Sequence, residues 1–165
     1  VLITVGGAGN AAGFQGATTS TNLARFISNL VSFMLTHGYD GIDVDWEPLQ
    51  SSDATQFSNL IRALRLELDK ITPRPLLTVA MGHGDQAIVA PIAQYLDQVN
   101  VMTYDQVSTW TGVSGHHTGL YDGGVLDQGG GTHFQVSTAP FSSTLALGFH
   151  VLSLESAWRF MGTFG

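Results

Sequence analysis

Residues 40–47 read Asp40-Gly41-Ile42-Asp43-Val44-Asp45-Trp46-Glu47. The run has the length and β-branched content of a buried strand, yet a carboxyl stands at every second position from 43 to 47. Successive strand side chains point to opposite faces, so Asp43, Asp45 and Glu47 share one face while Ile42, Val44 and Trp46 take the other. Carboxyls so close resist ionising together and raise one another's proton affinity. Such a group is suited to holding a proton donor near neutral pH, and it points to acid catalysis on a neutral substrate.

Outward from this run, the chain alternates strand and helix patterns. Val1–Val5, Gly41–Trp46, Leu76–Met81 and Val99–Tyr104 read as strands closed by Gly, Pro or Asp. Leu23, Phe26, Ile27, Leu30, Val31 and Met34 follow helical spacing, with Ser20 or Thr21 as the expected N-cap and Gly38 as the stop. A second helix is expected from Ala54 to about Ile71, with Phe57, Leu60, Ile61, Leu64 and Leu68 on one face and Asp53 as its cap. Around Gln86–Asp97, Pro91 restricts the prediction to a short helix starting near it. The stretch from Gln106 to Phe149 is too long for an ordinary connector and reads as a functional loop. A last helix is expected from Ser153 to Gly162.

Repeated strand–helix–strand units imply parallel strands joined by right-handed crossovers. A doubly wound sheet would seal Asp43 and Asp45 under helices, whereas a barrel opens its inner face at the C-terminal strand ends, where Glu47 falls. The expected fold is therefore α/β, a partial TIM barrel of about four β/α units. A complete barrel takes about 250 residues, so the 165 residues here are expected to form a half-barrel within one domain, 1–165, closed by association with a second copy.

Composition narrows the partners. A net charge of −7, from six Lys and Arg against thirteen Asp and Glu, excludes the electrostatic footprint of a nucleic-acid binder and disfavours an anionic membrane surface. No apolar run approaches the roughly 20 residues of a membrane span. Val1–Val5 lacks the charged flank and cleavage pattern of a signal peptide. With no cysteine, neither disulfides nor thiol chemistry enter. A calcium or magnesium site is the main rival for the acidic series, but the spacing lacks the glycine-punctuated loop of a calcium site. His116, His117 and His133 lack fixed metal-ligand spacing, and Gly6-Gly7-Ala8-Gly9 lacks the spacing of a phosphate cradle. No metal and no cofactor are expected.

The octapeptide matches the DxxDxDxE signature of glycoside hydrolase family 18, the chitinases and their relatives, which the chain resembles. Val5-Gly6-Gly7, Ala80-Met81-Gly82 and Met102-Thr103-Tyr104-Asp105 resemble the family's motifs at the ends of its third, fifth and sixth barrel strands, and Ser153–Gly165 is similar to the helix before its seventh. The resemblance thus covers strands three to six. It implies cleavage of β-1,4-linked N-acetylglucosamine polymers, with the substrate's own acetamide as nucleophile. Glu47 would be the acid/base, Asp45 would orient the acetamide, Asp43 would back Asp45, and Tyr104 would bind the acetamide oxygen. Met102, Asp105, Trp46, Trp110 and Met81 are the expected substrate-lining residues. Asp40, Gly6 and Gly7 are expected to support the strands. The resemblance also implies secretion and a chitin or chitooligosaccharide ligand. A lectin-like binding module, an inactive barrel fragment and an N-glycan-trimming endo-β-N-acetylglucosaminidase remain as alternatives.

Overall fold

The computed structural model describes residues 1–82 and 84–105. Along them run β1 (Leu2–Gly7), α1 (Ala11–Ala17), α2 (Leu23–His37), β2 (Gly41–Trp46), α3 (Ala54–Leu68), β3 (Leu76–Met81), α4 (Gln86–Val89) and β4 (Gln98–Val101). One 3-10 turn, Ser51–Asp53, precedes α3, and another, Ala90–Tyr95, follows α4. The expected loop after Asp105, the helix from Ser153, Trp110 and the three later histidines lie outside the described residues.

All four strands are parallel and lie in sequential order, β1-β2-β3-β4. A doubly wound sheet reverses direction at a switch point; this one does not, and its order is that of consecutive barrel units. The register sets Thr4 beside Asp43, Gly6 beside Asp45 and Asp43 beside Thr78. One sheet face carries Ile42, Val44, Leu77 and Val79, all at most 1% exposed, packed with Met34 of α2 and Phe57 and Leu64 of α3. Each such side chain contributes about 1.5–3 kcal/mol by leaving water. The opposite face carries Thr4, Asp43, Thr78 and Asn100.

Two glycines make the close strand approach possible. A Cβ on Gly41 would lie 2.3 Å from the Leu76 carbonyl oxygen, and one on Gly6, whose φ is 118°, would lie 2.0 Å from that of Asp45.

Several local expectations are corrected. Strand β1 runs on to Gly7, while β4 ends at Val101, short of Tyr104; the Met102 N–H still reaches the Met81 carbonyl at 2.9 Å, after which Asp105 turns to φ 60°. Neither Ser20 nor Thr21 caps α2. The Thr19 carbonyl accepts from the amides of Asn22 and Leu23, and the Asn22 side chain is engaged with the Gly16 carbonyl at 2.9 Å. Gly38 does end α2, in the left-handed conformation, with the Tyr39 amide returning to the Met34 carbonyl. Asp53 precedes α3 without capping it, because its carboxylate accepts from Gln15 Nε2 at 2.9 Å and the Gln50 amide at 3.2 Å. Pro91 sits in the 3-10 segment after α4, a helix that starts before it.

Helix α1 was not expected, since Gly13 and Gly16 dilute its pattern. Tertiary contacts hold it: Phe14 is buried and stacks on Trp46, and the Ala11 amide donates to the Glu47 carbonyl at 3.2 Å.

Candidate active site

The polar sheet face and the C-terminal strand ends bring the acidic series together with partners from every neighbouring strand. Asp43, 9% exposed, accepts from Thr4 Oγ1 of β1 at 3.1 Å, from Thr78 Oγ1 of β3, and from Asn100 Nδ2 of β4 at 3.2 Å. Three neutral donors thus converge on one carboxyl from three strands.

Asp45 stands one step nearer the strand end. Burial raises its proton affinity above the ordinary 3.8, a hydrogen bond with Glu47 opposes this, and the Asp43 charge adds to the rise. Its Oδ1 is buried with no hydrogen-bond partner among the described residues. Buried carboxyl oxygens are usually satisfied, so this one is available to a donor arriving with a ligand.

Glu47 follows at the end of β2. Burial comes first in pushing its carboxyl above the ordinary 4.5, followed by the Asp45 charge, their shared hydrogen bond, and the charges of Asp85 and Asp105. The pair is therefore arranged to hold a proton that Glu47 can donate. Tyr104 is about half exposed; partial burial and the charges of Glu47, Asp45 and Asp105 push its hydroxyl above the usual 10.0, keeping it a neutral donor. A Cβ added at Gly82, just after β3, would meet the end of the Met102 side chain at 3.9 Å.

Two expected substrate-lining residues belong elsewhere. Trp46 and Met81 are each 3% exposed and face the helix-side core. Trp46 stacks on Phe14 with ring centroids 4.7 Å apart and meets Phe57 edge-on at 6.0 Å. Alternation forces this: they share parity with Val44 and Val79, opposite to the carboxyls. Asp40 lies at the other end of β2, where its backbone joins Val1 and Leu76. Gly6 and Gly7 lie in β1 against Asp45 and Trp46.

Thr4, Thr78, Asn100 and Asp85 escaped the sequence reading. Asp85 follows β3, accepts from the Gly82 amide at 2.9 Å and acts on Glu47 through its charge. A signal existed for the others: Thr78 and Asn100 interrupt apolar residues at strand positions of one parity. Among the described residues no three His, Asp or Glu are arranged to hold a metal ion, and no helix is long and apolar enough to cross a membrane.

A parallel β/α sheet in sequential order with carboxyls gathered at the C-terminal end of a strand is the arrangement of barrel-type enzymes. The family model for glycosyl hydrolases family 18 matches residues 1–151, and the chain belongs to that family. It is 33% identical over 135 residues to chitinase 1 of Aphanocladium album, covering 73% of this chain and 31% of that protein. It is 31% identical to chitinase A of Pseudoalteromonas piscicida, covering 93% and 22%. The chain thus spans about a third or less of these relatives. Among solved structures, an immunomodulatory active chitinase from Trichuris suis aligns with a TM-score of 0.67 at 33% identity, over 74% of this chain and 36% of that one. A group IV chitinase of Ostrinia furnacalis, solved in complex with allosamidin, aligns with a TM-score of 0.62 at 35% identity, over 70% and 34%. A Cycas revoluta chitinase mutant, solved with (GlcNAc)4, aligns at 26% identity with a TM-score of 0.66, over 74% and 41%.

Proposed function

We propose that the chain carries the catalytic strand of a chitinase-like hydrolase that cleaves β-1,4-linked N-acetylglucosamine polymers with retention. The observation that carries this reading is the Asp45–Glu47 pair: a hydrogen-bonded donor carboxyl beside an aspartate whose second oxygen is buried without a donor. Glu47 protonates the leaving oxygen and later takes a proton from water. Asp45 stands two residues back, roughly 6–7 Å along the backbone of the same strand, and is on the wrong side to attack the anomeric carbon from behind. The substrate's acetamide oxygen makes that attack, its N–H donating to Asp45, while Tyr104 donates to the acetamide oxygen. Asp43 supplies negative charge behind Asp45, and Met102 and Asp105 line the sugar beside Tyr104. Chitinases among the relatives favour chitin over N-glycans as the substrate.

Hydrolysis of a fluorogenic chitobioside by the wild type and by Glu47→Gln tests this, with the wild type expected to turn over and the variant to fail. Equal rates would reject the assignment. If neither turns over, titration with chitooligosaccharide separates a binding module from an inert remnant, and release of N-glycans in place of chitobioside cleavage would favour the endo-β-N-acetylglucosaminidase.

The same proposal extends to assembly. Among the described residues strand β1 is an edge, flanked by a groove lined by Val5, Phe14, Ala17 and Phe26. A second copy closes this edge. Light scattering is expected to give a dimer; a clean monomer at micromolar concentration rejects it.

A further inference from the structure

Beneath the carboxyl pair, β4 presents two amide side chains at alternate positions. Gln98 Nε2 donates to Asn100 Oδ1 at 2.5 Å, and Asn100 Nδ2 donates to Asp43 Oδ1 at 3.2 Å. An amide can present either its oxygen or its NH2 to a neighbour, and the network around it decides which. By occupying the Asn100 oxygen, Gln98 leaves Asn100 one productive orientation, with its donor towards Asp43. Turned over, Asn100 would set an oxygen against a carboxylate and leave Gln98 facing an NH2.

We infer that Gln98 and Asn100 are positioning residues that act in series, Gln98 fixing the Asn100 amide and Asn100 holding the Asp43 carboxyl in place behind Asp45. The inference rests on the catalytic reading of the acidic series. The groups facing Asp43 are Thr4 from β1, Thr78 from β3, Asn100 from β4 and Asp45 on its own strand; among these the titratable one is Asp45. Three donors from three strands hold the Asp43 carboxyl in one orientation, with its charge set against Asp45. Removing one donor frees that carboxyl to turn and so changes the field its charge sets on Asp45.

The test is carbon-detected NMR titration of the aspartate and glutamate carboxyls in the full chain without substrate, for the wild type, Asn100→Leu, Gln98→Met and the double variant. Asn100→Leu removes the donor outright; Gln98→Met is near in shape and leaves Asn100 free to turn. Each single variant is expected to shift the coupled titration of Asp45 and Glu47, Gln98→Met by less. The double variant should match Asn100→Leu, because Gln98 has no route to the carboxyls once Asn100 is gone. If Asn100→Leu fails to fold, Gln98→Met carries the test alone. Unchanged carboxyl titration with a lowered melting temperature would overturn the inference by reducing both residues to structural support, and additive shifts in the double variant would overturn the series. Because no substrate is present, an inactive chain with shifted titration would sink the proposed hydrolysis and leave this inference standing.

Discussion

The two ends of the sheet use the same residue type to opposite ends. At the N-terminal end, Asp97 precedes β4 and is surrounded by donors: Arg65 Nη1 at 3.0 Å, Arg74 Nη2 and the Leu77 amide at 2.8 Å. Arg65, 5% exposed, also meets Asp69 at 2.7 Å and the Pro75 carbonyl at 3.2 Å, tying α3 to the starts of β3 and β4. At the C-terminal end, Asp45 and Glu47 face each other, with the charges of Asp85 and Asp105 near, and among the described residues no Lys or Arg forms an ion pair with Asp45 or Glu47. A carboxylate paired with cations stabilises; one set against other carboxyls stores a proton. On the proposed function the sheet separates stability from chemistry along its strand direction, as barrel enzymes do.

The contrast can be broken at either end. Glu47→Gln should lower hydrolysis most, by about 10²–10⁴-fold or more for loss of general acid–base catalysis, measured as kcat on a chitobioside, with a melting temperature at neutral pH no lower than that of the wild type. Arg65→Met should be the largest stability loss at the opposite end, about 3–5 kcal/mol by urea denaturation, because Asp97 is left partly buried without its main partner. Asp45→Asn should do the reverse and raise stability at neutral pH while lowering turnover. The folded chain holds protons on Asp45 and Glu47 above their ordinary 3.8 and 4.5, so it binds more protons than the unfolded chain once the pH passes those values. Stability from these two groups is therefore full at lower pH and is lost as pH rises through the raised values. Thermal melts from pH 4 to 8 should show that decline in the wild type and less of it in Asp45→Asn. The smallest effect belongs to Lys70→Ala, which removes an exposed pair with Glu67 and should cost no more than about 1 kcal/mol.

How much of this was legible in the sequence differs between the two ends. Strict alternation placed Asp43, Asp45 and Glu47 on one face without any structure, and sequential β/α units chose the barrel-like order. Alternation equally put Trp46 and Met81 on the buried side; expecting them at the sugar gave aromatic and motif identity more weight than parity. The Arg65–Asp97 bridge was illegible because its partners stand 32 residues apart and the basic stretch from Arg62 to Arg74 resembles a solvated helix face. Helix α1 was hidden because its glycines weaken local propensity, and the contacts that decide it come from Glu47 and Trp46, more than 30 residues away. Asp53 shows a local motif overridden: its capping chemistry was read correctly, but Gln15 and the Gln50 amide claimed the carboxylate.

Helix α1 grips Glu47 through the main chain, by the Ala11 amide on the Glu47 carbonyl. Such a grip is blind to side-chain identity. A carboxyl swapped for an amide at position 47 leaves the backbone tether untouched, so the disarmed protein keeps its strand end where the donor stood. Glu47→Gln is then more than a dead variant. On the proposed function it is expected to serve as a reagent, a trap that holds an uncleaved sugar chain long enough for its length and register to be read directly.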